Sequence, residues 1–82
     1  MIEINKIYKS DCFDIFPQIE NNSIDLILVD LPFGCTSNDW DVKIDLDKMW
    51  IQLKRICKSQ TTYIFYCSTK FGNEIIYFNI YI

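Results

Sequence analysis

The chain contains no histidine. That absence removes Ser-His-Asp triads, imidazole general bases and His-ligated metals. The four cysteines, Cys12, Cys35, Cys57 and Cys67, form no CxxC pair. A zinc site or a dithiol redox motif is therefore not expected, and a reduced, cytoplasmic setting is the simpler reading. Basic charge is also short, with 8 Lys and Arg against 11 Asp and Glu, for a net charge of −3. An autonomous nucleic-acid binder normally carries a basic stripe, and none is visible. No apolar run reaches the roughly 18 residues that a membrane span needs, and residues 1–10 lack the apolar core of a signal peptide. Repeats, low-complexity tracts and linkers are missing as well.

What is present is apolar and compactly distributed. Hydrophobic residues make up 50% of the 82 positions, isoleucine alone supplies 15, and charged residues are 23%. Disordered chains combine low hydrophobicity with high charge, so disorder is excluded. The length allows one domain at most. A chain this short buries only roughly 60% of its unfolded surface, which leaves its stability marginal.

Residues 1–9 (MIEINKIYK) alternate well enough to predict a short strand. Residues 11–19 (DCFDIFPQI) carry Cys12, Phe13, Phe16 and Ile19 at helical spacing, with Ser10 or Asp11 as cap and Pro17 as a breaker. Asn21-Asn22-Ser23 is turn chemistry. Residues 24–29 (IDLILV) read as a central parallel strand covered on both faces. Residues 30–41 (DLPFGCTSNDWD) read as a loop. The clearest helix spans residues 45–58, where Leu46, Met49, Trp50, Leu53 and Ile56 form one apolar stripe. Asp45 and Asp47 open that helix, and Lys54, Arg55 and Lys58 close it, as the helix dipole favours. Residues 61–67 (TTYIFYC) predict a second buried strand. Residues 70–82 suit either a helix or a strand. Alternating strands and helices imply an α/β layer with a parallel sheet. Three strands cover too little, so the pattern suggests a piece of a larger doubly wound domain.

Such sheets bind their ligands beyond the carboxyl ends of the strands. Asp30 ends the IDLILV strand, and Leu31, Pro32, Phe33 and Gly34 follow at once. A carboxylate, a rigid proline and an aromatic ring thus stand where these sheets do their chemistry. Burying Asp30 would be costly without a partner. Pro32 offers no N–H, and Gly34 lets the chain turn closely.

Asp30-Leu31-Pro32-Phe33 resembles the (D/N/S)-P-P-(Y/F/W) motif of amino-methyltransferases that use S-adenosylmethionine. Leu at the second position is a variant also found in DNA adenine methyltransferases. The order of segments is similar too. IYKSDCFDIFPQIENNSIDLILVDLPFG corresponds to the family's "GD" segment, helix and motif strand. Asn38-Asp39-Trp40-Asp41 resembles the "WD" that follows, and LDKMWIQLKRI and TTYIFYCSTKFGNE look like the next segments. The likeness covers nearly the whole chain.

The resemblance implies a DNA methyltransferase acting on adenine N6, with cytosine N4 as the close rival, in a restriction-modification setting. It implies S-adenosylmethionine as cofactor, DNA as partner, a Rossmann-like sheet with flanking helices, and neither metal nor membrane. The Asp30 side chain and a carbonyl in the Leu31–Pro32 segment would accept the two N–H groups of the amine. Phe33 would stack on the extruded base, an interaction contributing about 1–3 kcal/mol. Asp11 would touch the cofactor adenosine, or it is simply a helix cap. Ser10 stands where the family has Gly. The FxGxG segment and a target-recognition region are absent, since Gly34 and Gly72 are the only glycines. The expectation is a partial catalytic domain over residues 1–82, completed by a further C-terminal part or a partner chain. The alternative is an inactive remnant or a small α/β interaction module. Several residues read as structural. Trp40 and Asp41 close the loop, Trp50 is core, Cys35 is a bystander, and Lys54, Arg55 and Lys58 form a solvated helix end.

Overall fold

The computed structural model describes residues 2–31 and 43–81, apart from the side chains of residues 80 and 81. The element order is α1 (Cys12–Ile15), a 3₁₀ turn (Phe16–Gln18), β1 (Ile24–Asp30), α2 (Leu46–Ile56), β2 (Cys57–Tyr66) and α3 (Thr69–Tyr81). Strands β1 and β2 pair in parallel, joined through α2 as a βαβ unit. The fold is therefore mixed α/β with a small parallel sheet.

Helix α2 forms where its stripe predicts. Asp45 caps it, accepting a hydrogen bond from the Lys48 N–H at 3.2 Å. Leu46, Met49, Trp50, Leu53 and Ile56 are all buried, and Phe71 and Ile75 of α3 complete the core. Trp50 sits at its centre. Its indole N–H donates to the Ile75 carbonyl at 3.0 Å, and its ring meets Tyr63 and Phe65 at 5.2 and 5.7 Å. A buried indole needs such a polar partner, and here it also ties α2 to α3.

The sheet is covered on one face only. Ile27, Tyr63 and Phe65 pack against the core. Leu26, Leu28, Ile64 and Tyr66 point the other way and remain 43–62% exposed. The expectation of strands buried on both faces is thus corrected: α2 and α3 pack on the core side alone, and no described element covers the opposite face.

Other expectations change with it. Residues 2–9 form no strand. Asn5 takes a φ of 62°, and the Tyr8 hydroxyl accepts from the Glu3 N–H at 2.7 Å, so this segment closes on itself. A strand needs a neighbour for its ladder bonds, and residues 2–9 pair with neither described strand. The helix expected over residues 11–19 is one α turn followed by a 3₁₀ turn. Pro17 lacks the N–H that would continue the α ladder. Helix α2 stops at Ile56, because Cys57 is already extended and paired with Ile24. Strand β2 therefore starts earlier than expected and ends before Cys67. The ambiguous tail is helical through Tyr81, opened by Ser68, whose Oγ accepts from the Phe71 N–H at 3.2 Å. The turn expected at Asn21–Ser23 is present, with Asn22 at φ 54°.

The basic cluster at the end of α2 is not a uniformly solvated helix end. Lys58 lies in β2 and pairs with Asp25 at 2.8 Å. The half-buried Arg55 guanidinium donates to the Ile19 carbonyl and Asn21 Oδ1, both at 2.8 Å, and to the Phe16 carbonyl. Gln52 Oε1 accepts from Arg55 Nε at 3.1 Å. Asn22 and Ser23 donate their N–H groups to the Arg55 and Ile56 carbonyls at 3.0 and 2.7 Å. Together these bonds clamp the turn before β1 onto the end of α2.

Candidate functional site

An open cleft of about 650 Å³ lies at the carboxyl end of β1. Three segments wall it: Asp11, Cys12 and Phe13 at the start of α1, Leu28 to Asp30 of β1 with Leu31 just beyond, and Lys43 to Asp45 before α2. The parallel pairing of β1 with β2 aims the β1 terminus at this opening, as the general rule for such sheets requires.

Two of the residues singled out in the sequence, Asp11 and Asp30, share this cleft although 19 positions separate them. Asp11 serves as the cap of α1, its Oδ1 accepting from the Phe13 N–H at 2.9 Å. Asp30 ends β1 opposite Tyr66 in the parallel ladder and is exposed. The carboxylate thus keeps its water and bears little desolvation cost. Leu31 is half-buried and packs against the core, which anchors the chain one residue beyond Asp30. Pro32, Phe33, Gly34, Cys35 and the Asn38–Asp41 segment lie outside the described residues.

The cleft has features that the sequence did not advertise. Partial desolvation, and then the neighbouring Asp11 charge, raise the pKa of the Cys12 thiol above its ordinary value. At neutral pH it is a thiol, not a nucleophilic thiolate. Lys43 reaches across to α3, its Nζ 2.7 Å from Glu74 Oε1. No periodicity marks Lys43, because it precedes the α2 cap in an irregular stretch and its partner lies 31 residues away. A smaller cleft of about 290 Å³ lies between residues 2–4 and the Gln18–Ile24 stretch. Glu20 is its one charged lining residue, and that cleft offers no pair of reacting groups. Among the described residues, no group of His, Cys, Asp and Glu could hold a metal ion, and no helix is long and apolar enough to cross a membrane.

Comparison with known proteins gives one informative match. The type II methyltransferase M1.MboII of Moraxella bovis is 46% identical to this chain over 41 residues. Half of this chain resembles a methyltransferase. The matched stretch is 50% of this chain but only 16% of the Moraxella protein. No family model matches the chain, and no solved structure matches it.

Proposed function

We propose that this chain carries the amine-binding part of an S-adenosylmethionine-dependent DNA methyltransferase domain, acting on N6 of adenine. The observation that carries this reading is the single cleft at the end of β1 that holds both Asp11 and Asp30. The local likeness to a methyltransferase supports it. The βαβ unit is the building block of a doubly wound, Rossmann-like sheet. The open sheet face and edges suit the further elements such a domain would contain. On this reading, sequence beyond these residues or a partner chain supplies the glycine-rich grip and the target-recognition region.

The residues present fit the cofactor in size and charge. The cleft volume lies in the range of small-molecule sites. Its walls offer apolar carbon from Phe13, Leu28 and Ile44, and carboxylates suited to a sulfonium cation and ribose hydroxyls. When bound, that group supplies an electrophilic methyl.

The protein's share is positioning and electrostatics. The exocyclic amine of adenine is a poor nucleophile, because its lone pair is delocalised into the ring. The exposed Asp30 carboxylate accepts one N–H, and a carbonyl in the Leu31–Pro32 segment accepts the other. Two acceptors on one nitrogen favour a more tetrahedral geometry and direct the lone pair outward. Phe33 stacks on the extruded base. Asp11, already a helix cap, keeps one carboxylate oxygen for the cofactor adenosine. Cytosine N4 would satisfy the same acceptors.

The test is transfer of labelled methyl groups to DNA by the whole protein. Replacing Asp30 by Ala should reduce the rate on the order of 100-fold or more, and an unchanged rate would remove Asp30 from the chemistry. One observation favours a second reading. The apolar open face suits an interaction module that keeps the scaffold without activity. Titration of the 82-residue chain with S-adenosylmethionine bears on the choice: micromolar binding excludes the module, whereas no binding is the outcome both readings expect of these residues alone.

A further inference from the structure

We infer that Lys43 is a phosphate-binding residue of the cleft. It exchanges its Glu74 partner for the phosphate attached to the nucleotide whose base reaches Asp30. This inference rests on the nucleotide reading of the same cleft.

The charge arrangement motivates it. Asp11, Asp30 and Asp45 line the cleft, and Lys43 is the one cation among the described lining residues. A base entering such a site brings a phosphate with it, and three carboxylates repel that phosphate. Some cation has to offset the repulsion. Lys48, on the first turn of α2, lies instead 5.8 Å over the Phe13 ring.

Lys43 is placed and poised for the role. Its Nζ already holds an anionic oxygen, Glu74 Oε1, at 2.7 Å, and the two side chains are 50% and 38% exposed. A phosphate oxygen makes the same kind of charge-assisted bond. Solvent-exposed pairs of this type contribute little net stability, so exchange of one anion for another is inexpensive. Glu74 then acts as an internal competitor, a placeholder that gives way to a nucleotide.

The experiment is an NMR titration of the 82-residue chain, following the amides around Asp30 and Lys43. The ligands are 2′-deoxyadenosine and its 5′-monophosphate, with inorganic phosphate as the control. The monophosphate should bind about three- to ten-fold more tightly than the nucleoside, and that advantage should fade with added salt. Lys43→Gln should abolish the advantage and leave nucleoside binding unchanged, while Lys43→Arg should retain it. Glu74→Gln should enlarge it, because the competitor is gone. If the pair were only a structural tie, Glu74→Gln would weaken binding instead, and the inference would be overturned. Equal affinity for the two ligands would also overturn it but leave base capture standing. Absence of any response in the cleft would overturn both.

Discussion

The two faces of the sheet differ sharply in what they touch. On one side, Tyr63 and Phe65 stack with parallel rings 6.4 Å apart and lie against Trp50. On the other, Leu28 and Ile64 sit opposite each other in register, with no described element above them. Strand β1 from Leu26 to Val29 and the Tyr63–Tyr66 half of β2 are apolar on both sides, a composition suited to parallel sheets covered by helices twice over. Strand composition reports how many faces of a sheet call for cover, while helix stripes report which helices are present to cover them. Among the described residues, α2 and α3 both turn their apolar faces to the same side.

The comparison is broken most directly at the centre of the covered face. Trp50→Ala should cost about 3–5 kcal/mol, since it removes a buried ring and leaves a cavity. A denaturant melt should show most of the chain's stability gone, and a loss under 1 kcal/mol would mean the core is not packed as described.

The clamp at the edge of that face comes next. Arg55→Ala takes the guanidinium donor from the Ile19 carbonyl and leaves the Phe16 carbonyl with the Ile19 N–H alone, a loss on the order of 1–3 kcal/mol. Protection of the Asn22 and Ser23 amides against hydrogen exchange should fall with it. Unchanged protection would show that the turn holds without the guanidinium.

Alkali provides a third test. Desolvation, followed by the Cys57 side chain beside it, pushes the Tyr63 pKa up from 10.0 to about 12. The folded state therefore favours the neutral phenol. This contribution is fully present below pH 10, declines as the unfolded chain ionises above 10, and is lost once pH passes about 12. Tyr63→Phe should flatten the decline between pH 10 and 12 in a pH-resolved melt. An identical decline in the variant would place the sensitive group elsewhere.

The smallest effect on stability belongs to the bare face. Leu26→Thr together with Ile64→Thr should change stability by about 0.5 kcal/mol or less per site, because neither side chain leaves a packed environment. Self-association measured by sedimentation should fall as the apolar strip is broken. A stability loss comparable to that of Trp50→Ala would mean that the face is covered in solution.

How much of this was legible depends on the range over which each signal acts. The α2 stripe and its Asp45 cap are local, spanning one helix, and every stripe residue is buried. Strand β1 is likewise local, a run of β-branched and apolar residues. Residues 2–9 show the limit, because alternation marks a segment able to pair but does not supply the neighbour. Arg55 shows it again: as a last-turn cation it reads as solvated, yet three of its acceptors lie 34 to 39 positions earlier. The same is true of the cleft. Asp30 was legible as the end of an apolar strand, whereas its juxtaposition with Asp11 follows only from the way α1 meets the β1 terminus. Lys43 left no local mark, since its position depends on an α3 residue.

The Arg55 clamp also bears on the order in which the protein can assemble as it leaves the ribosome. The stretch that carries Asp11 emerges early, but its fastening to the rest of the molecule waits for residue 55. The strand bearing Asp30 waits longer still for β2 to pair with it. The future cleft therefore stays unformed while α2 is being made, and takes shape only when the second strand is delivered.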